Sequence, residues 1–222
     1  MNDTGIRVKA SRLEIALVFA GIAAAMASYE FFNKTSPIGE PLIMKAWLDE
    51  QMPLVPAFVV PYLSFHPLVM IVVPLLSLRF GGRKAFLVNG VAIMVSQLCL
   101  DVAYFFFQTQ IPRTKTPGND VFGWILTHVV YGNDQPLNGF PSNHVTWTVV
   151  SMIALCRIRK SIPRAAVVLQ VWFLLIIPAT VLLQQHYIID IYGGIFVAFT
   201  AYWACMFAIE KPNLEFADLR AR

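Results

Sequence analysis

The sequence predicts an all-α fold: a polytopic membrane protein with a six-helix transmembrane bundle and interfacial helices in its outer loops. Of its 222 residues, 57% are hydrophobic and only 14% are charged, whereas a soluble domain carries about 25% charged residues. Six apolar stretches also approach the roughly 20 residues that a helix needs to cross a bilayer. The length suits one integral membrane domain over residues 1–222.

The predicted spans alternate with short inner and long outer connections. They are Leu13–Phe32, Ala57–Leu78, Ala85–Phe107, Val145–Ile158, Ala165–Leu183 and Ile188–Ile209. The fourth is short, and we expect it to begin earlier, near Ser142, because serine is a good helix N-cap. In the outer loops, the runs Leu42–Leu54 and Val121–Val130 are expected to form helices along the membrane interface.

The basic residues predict the topology. If the N-terminus is cytoplasmic, only Lys34, Lys45, Arg113 and Lys115 of the 17 lysines and arginines lie outside. Every inner segment then carries at least three, which agrees with the positive-inside rule. Both termini should therefore be cytoplasmic and the long loops extracytoplasmic, or periplasmic if the source is bacterial. Because the basic residues are distributed by this topology and do not form a clustered basic face, the net charge of +4 predicts no nucleic-acid partner.

The cysteines predict neither disulfides nor a metal site. Cys99, Cys156 and Cys205 are odd in number, lack metal-ligand spacing and fall within predicted spans. We expect them to be buried small hydrophobic residues. No cofactor motif is visible, and the sequence makes no prediction of oligomeric state.

Unusual polar residues gather at the outer ends of three spans, and the sixth span carries the first pair. His186 and Asp190 are four residues apart, which puts both side chains on one helix face. A carboxylate that accepts the proton of one ring nitrogen fixes the tautomer and leaves the other nitrogen as a nucleophile. The alternative is a simple polar pair at a helix end.

The second and third groups open the fourth span and follow the third. In Pro141-Ser142-Asn143-His144, a capped helix start with free N–H groups is an anion site. His144 is placed there to donate a proton to a leaving oxygen. Arg113 and Lys115 are residue types that bind phosphate. Each group alone is compatible with a structural role, but together they are what phosphoryl transfer through a histidine needs without a metal.

These motifs resemble the type 2 phosphatidic acid phosphatase superfamily, whose blocks are K-x6-R-P, P-S-G-H and S-R-x5-H-x3-D. The matching stretches run from Phe106 to Thr114, from Pro141 to His144 and from Ala179 to Asp190. The resemblance covers about residues 56–209, the expected catalytic core, and the family's six-helix architecture agrees with the predicted spans.

The sequence departs from these blocks at four positions. Phe106 stands for the lysine, Thr114 for the proline, Asn143 for the glycine and Thr180 for the arginine. Two phosphate-binding cations of the family are therefore absent, although Lys115 is a candidate substitute. The runs around Phe140 and His186 are more similar to the branch of the inositol-phosphoceramide and sphingomyelin synthases. Members of that branch move a phosphorylated head group between lipids.

The resemblance implies a role for each site residue. His186 would attack phosphorus and form a phosphohistidine, Asp190 would orient it, and His144 would protonate the departing oxygen. The phosphate oxygens would be held by Arg113, Ser142, Asn143 and Lys115. Asp101, Thr180 and Gln185 are expected just behind these residues.

The predicted function is hydrolysis of a membrane lipid phosphate or pyrophosphate on the non-cytoplasmic face, without metal or cofactor. Transfer of a phosphorylated head group between lipids is the alternative, because a less cationic site suits a phosphodiester. A transporter or a lipid-binding protein is a lesser alternative. Transporters place their polar groups near the midplane, whereas these groups lie at the span ends.

Two ionisable residues fall within the spans. His66 and Asp101 lie at similar predicted depths in successive spans, and ionisable groups at such depth usually find partners. We expect the two side chains to meet. Alternatively, each is satisfied separately, by Ser64, by Gln97 or by water.

Overall fold

The computed structural model describes residues 9–35 and 39–210. Arg7, Lys211, Arg220 and Arg222, which contribute to the predicted topology, lie outside the described residues. The described part is helical, and its principal helical segments follow one another in chain order. They are α1 (Arg12–Lys34), α2 (Trp47–Gln51), α3 (56–81), α4 (Gly82–Phe106), α5 (121–133), α6 (Asn143–Ile158), α7 (Pro163–Leu182) and α8 (Ile188–Glu210).

Helix α1 begins at a capping box. The Ser11 hydroxyl accepts from the Glu14 backbone N–H at 3.1 Å, and the Glu14 carboxylate accepts from the Ser11 N–H at 2.8 Å. Two backbone donors that a helix start leaves unpaired are satisfied in this way. Arg83 Nε also donates to Glu14, at 2.8 Å, so the N-terminal ends of α1 and α4 lie together.

Segment α3 is irregular because it contains three prolines after its first residue. Pro61, Pro67 and Pro74 lack the N–H that continues an α-helical ladder. The backbone responds with a 3-10 turn at its start and π-helical turns at Leu68–Val72 and Ser77–Gly81. At Gly82 the backbone takes φ 76°, a conformation that glycine adopts without strain. A new helix, α4, starts there.

The helix ends form two groups. At one end, Arg157 of α6 pairs with Glu210 of α8, and a Cβ on Gly81 would lie 2.8 Å from Ile158. At the other end, the N–H of Val55 donates to the Leu182 carbonyl at 3.0 Å. Ser142 and Asp190, at the starts of α6 and α8, are hydrogen-bonded there as well. All the predicted catalytic residues belong to this second end.

Four helices of the described part are long and apolar enough to cross a membrane: Arg12–Lys34, Pro56–Phe106, Pro163–Leu182 and Ile188–Glu210. The second is 51 residues long and covers two of the predicted spans, with the Gly82 break between them. The predicted fourth span is the 16-residue helix α6, which begins directly after Ser142, as expected.

The core and the outer surface are both apolar. Phe65, Phe86, Trp147 and Phe173 are completely buried between the helices. On the outside, the large hydrophobic side chains include Phe196, which is 71% exposed. A surface of this kind is typical of a bundle that faces lipid.

The structure corrects three expectations. Cys99 and Cys156 are exposed, and only Cys205 is buried, because the first two lie on outward helix faces. Of the run Leu42–Leu54 only Trp47–Gln51 is helical, whereas residues 121–133 are helical throughout. The carboxylate of Asp101 accepts from Gln97 at 2.7 Å, the separate arrangement given as the alternative. The His66 ring packs instead against Phe65 and His144.

Candidate active site

His186 lies in the turn between α7 and α8. The Thr180 carbonyl, near the end of α7, accepts from the backbone N–H groups of Gln185 and His186 at 2.9 and 3.1 Å. Gln184 adopts a positive φ of 50° within this turn. The turn therefore fixes the backbone position from which the His186 side chain extends. The Thr180 hydroxyl only donates to the Ile177 carbonyl within its own helix.

The His186 ring is held through Nδ1. This atom lies 3.0 Å from the Gly139 carbonyl oxygen and 3.4 Å from Asp190 Oδ2. A carbonyl can only accept, so Nδ1 carries the hydrogen and Nε2 keeps its lone pair in the neutral ring. The sequence predicted the Asp190 contact, whereas the closer partner is the backbone of Gly139.

Asp190 holds the start of α8 together as well. Its Oδ2 accepts from the Tyr187 N–H at 2.8 Å, and its carbonyl accepts from the Ser142 N–H at 3.1 Å. Gly139 is needed beside it, because a Cβ at that position would lie 3.0 Å from Asp190 Oδ2 and 2.2 Å from Ile111 Cδ1. The Asp190 carboxylate thus contacts His186 and the start of α8, and the Asp190 backbone carbonyl joins the starts of α6 and α8.

Ser142 and Asn143 have structural roles in this arrangement. Ser142 is the N-cap of α6, and its hydroxyl accepts from the Val145 N–H at 3.3 Å. Phosphate binding was predicted for the backbone amides of the Asn143 turn, and the Asn143 side chain is directed into the bundle, where it donates to Gln97 Oε1 at 2.6 Å. Gln97 in turn donates to Asp101, so Asn143 and Asp101 belong to one buried polar chain.

His144 lies on the other side of His186, among aromatic rings. The two imidazole centroids are 5.9 Å apart. The His144 ring stacks on Tyr62 at 4.4 Å and contacts Phe65 at 4.5 Å. Neither of its nitrogens has a hydrogen-bond partner among the described residues. His144, which the sequence predicts as the proton donor, therefore lies close to His186 with both ring nitrogens unpaired among the described residues.

Arg113 is anchored by the end of α5 and the loop that follows it. Its Nη1 donates to the Tyr131 carbonyl at 3.3 Å, and its Nη2 donates to the Asp134 carbonyl at 2.7 Å and to Gln185 Oε1 at 3.3 Å. Its guanidinium also lies 4.1 Å from the centroid of the Tyr131 ring. Burial lowers the pKa of Arg113, but an arginine stays charged in proteins.

Asp134 is the partly buried counter-charge of Arg113. Its Oδ2 lies 3.8 Å from Arg113 Nη2, and its Oδ1 accepts from the Tyr29 hydroxyl at 3.0 Å. Burial raises the pKa of Asp134 to about 6, against the opposing effects of Tyr29 and Arg113. The charge available to bind an anion here is therefore smaller than Arg113 alone would provide.

Unpaired buried donors mark the space between these groups. Arg113 Nε, Gln185 Nε2 and the His144 ring nitrogens are buried without a partner among the described residues. Gln185 precedes His186 and contacts both Arg113 and Tyr62. Buried polar groups without partners cost free energy, so such a cluster indicates a site for a polar ligand.

A cavity of about 270 Å³ opens beside His186. Its lining includes Asp49, Lys115, Gln184 and Tyr187. Lys115 donates to the Met52 carbonyl. Asp49 Oδ1 accepts from the Ile188 N–H at 2.8 Å, which holds α2 over the start of α8. Lys115 thus lines the same cavity as His186, whereas His144 is not part of that lining.

Comparison with protein families finds a match for most of the chain. The model of the PAP2 superfamily matches residues 38–204, about three quarters of the chain. The chain belongs to the PAP2 superfamily. This is the phosphatase superfamily that the three sequence blocks indicated, and its membership supports an enzyme that acts on phosphate esters. Comparison with curated proteins and with solved structures gives no match.

Several residues of the site had weak or no sequence signals. Gly139 lies two residues before the second block, and Gln97 is four residues before Asp101, a spacing that places both on one helix face. Tyr29, Tyr131 and Asp134 carry no local pattern, because their contacts to the site are made between distant parts of the chain. Among the described residues, no group of three His, Cys, Asp or Glu side chains could hold a metal ion.

Proposed function

We propose that this protein is an integral membrane phosphatase that hydrolyses a lipid phosphate or pyrophosphate through a phosphohistidine at His186. The geometry of His186 carries the proposal. Its Nδ1 is 3.0 Å from a carbonyl oxygen, so Nε2 is the free nucleophile, and an unpaired second histidine lies 5.9 Å away between ring centroids.

The proposed reaction has two steps. In the first, His186 Nε2 attacks phosphorus, the P–N bond forms, the P–O bond to the lipid breaks, and His144 gives its proton to the departing oxygen. In the second, His144 takes a proton from water, the resulting hydroxide attacks phosphorus, and the P–N bond breaks. Phosphate leaves, and both histidines return to their starting states.

The other residues act on charge and orientation. Arg113 and Gln185 offer unpaired N–H groups to the nonbridging oxygens, and Lys115 approaches from the cavity. The Ser142 hydroxyl proton is a further donor. Asp190 stabilises the positive charge that His186 acquires in the phosphohistidine. No metal takes part in this scheme.

One observation favours a second function, the transfer of a phosphorylated head group between lipids. Arg113 has a partly buried carboxylate, that of Asp134, within 3.8 Å, and Phe106 and Thr180 occupy positions where the family has cations. A site with this little positive charge suits a phosphodiester, which carries one negative charge, better than a phosphomonoester. A lipid alcohol would then replace water in the second step.

We further propose that the chain crosses the membrane six times, with both termini cytoplasmic and the site on the extracytoplasmic side. The two groups of helix ends support this arrangement, because α3 and α4 start at opposite ends and together make two crossings. Helix α6 makes a short crossing, and α1, α7 and α8 one each. The substrate then enters from the outer leaflet.

Purified protein incubated with lipid phosphates, lipid pyrophosphates and phosphodiesters tests the function. We expect release of inorganic phosphate from at least one lipid phosphate, unchanged in EDTA. A new phospholipid without phosphate release would indicate the transferase. His186→Ala should abolish either activity. Loss of activity in EDTA that a divalent ion restores, or no turnover of any lipid, would contradict the phosphatase.

A further inference from the structure

We propose that helix α1, which lies outside the matched residues 38–204, positions the phosphate site. Tyr29 and Asn33, in its last two turns, fix the loop that holds Arg113. The inference rests on the proposed function in one respect, the assignment of Arg113 to phosphate binding. It adds two positioning residues that no block of the family contains.

Asn33 fastens α1 to the loop through three hydrogen bonds. Its Oδ1 accepts from the Gln135 N–H at 3.0 Å, and its Nδ2 donates to the carbonyls of Gln135 and Leu137 at 3.1 and 3.4 Å. The side chain is only 1% exposed. An asparagine that satisfies both carbonyl and N–H groups of a loop in this way replaces the pairing that a strand would supply.

Tyr29 makes the second connection, one turn earlier on α1. Its hydroxyl donates to Asp134 Oδ1 at 3.0 Å, and its ring packs against Tyr104. Tyr104 in turn donates to the Pro141 carbonyl at 2.8 Å, directly before the cap of α6. Tyr29 therefore contacts the loop that holds Arg113, at Asp134, and through Tyr104 it contacts the segment that leads to His144.

The loop is what gives Arg113 its position. Two of the three acceptors of the guanidinium are backbone carbonyls, that of Tyr131 in the last turn of α5 and that of Asp134 in the loop. If residues 131–137 move, these carbonyls move with them, and the guanidinium with its unpaired Nε is displaced from Gln185. A guanidinium binds phosphate in a fixed two-pronged geometry, so a small displacement weakens the interaction.

A double-mutant cycle tests the proposal. The variants are Tyr29→Phe and Asn33→Ala, each alone and combined with Arg113→Ala, and the measurement is the Kd of orthovanadate in detergent by calorimetry. Tyr29→Phe keeps the ring and should fold even if Asn33→Ala does not. Thr35→Val is the matched control, because it removes one hydrogen bond, to the Phe31 carbonyl, at the same helix end without touching the loop.

We expect each substitution to raise the Kd at least fivefold when Arg113 is present and less than twofold when it is absent, with Thr35→Val unchanged in both. Equal effects with and without Arg113, or no effect of Tyr29→Phe, would overturn the proposal. Lipid turnover of the wild-type protein is measured alongside. A positive cycle without turnover would reject the proposed activity alone, and turnover with an additive cycle would reject the role of α1 alone.

Discussion

At the scale of single residues, the ionisation of the Asp134 carboxyl group affects the stability of the folded protein. Its burial raises the pKa from 3.8 to about 6, so the folded protein binds this proton more tightly than the unfolded chain does. The group therefore stabilises the fold fully below about pH 4, and the contribution is lost as the pH rises through 6. A shift of this size corresponds to roughly 3 kcal/mol.

Asp134→Asn should remove this pH dependence, because an amide has no proton to lose in that range and can still accept from Tyr29. We expect the thermal midpoint of the variant to exceed that of the wild type at pH 7 and the difference to shrink towards pH 4.5. Thermal unfolding in detergent across this range measures it. Parallel curves for the two proteins would show that Asp134 does not titrate in this way.

The residues at the site differ in how well the sequence predicts them. His186, His144 and Asp190 are recognisable because their chemistry and spacing are local. Asp134 is not recognisable in this way, since its hydroxyl partner Tyr29 is 105 residues away and the sequence of its loop is typical of an ordinary turn. The side-chain contact of Asn143 has no local signal for the same reason, because its partner Gln97 is 46 residues away.

At the scale of elements, apolar length and capping residues predicted most helices well. The start of α6 after Ser142 and the end of α7 at Leu182 follow from an N-cap serine and a polar turn. The irregular path of α3 was not predicted in detail, because three prolines determine where the ladder breaks but not which turn replaces it. The loop helices were predicted as amphipathic, yet tertiary contacts decide how far each extends.

Sidedness is a property of whole elements and can be tested directly. In a variant with all three native cysteines replaced by alanine, a single cysteine at Gly118 should react with an impermeant thiol reagent added outside intact cells. A single cysteine at Lys160 should react only after permeabilisation. Both positions are exposed, so burial does not explain a difference. The reverse pattern would place the site on the cytoplasmic side.

At the scale of the whole molecule, the fold brings together residues from five segments at one end of the bundle. His186 and Asp190 come from α8 and the turn before it, His144 from α6, and Arg113 from the loop after α4. Helices α1 and α5 complete the site through the loop of Asp134. The sequence predicted that the outer ends of three spans converge, but a topology argument gives no distances and could not include α1.

The central claim is that His186 carries the phosphoryl group during turnover. The most direct test mixes the protein with a lipid phosphate that has a good leaving group and quenches the reaction in alkaline denaturant within the first turnover. The protein is then digested for mass spectrometry. Alkali is used because phosphohistidine survives it and is lost in acid. The account predicts an acid-labile phosphoryl group on the peptide of His186, and none in His186→Ala. A phosphoryl group on another residue, or turnover of His186→Ala within tenfold of the wild type, would contradict it.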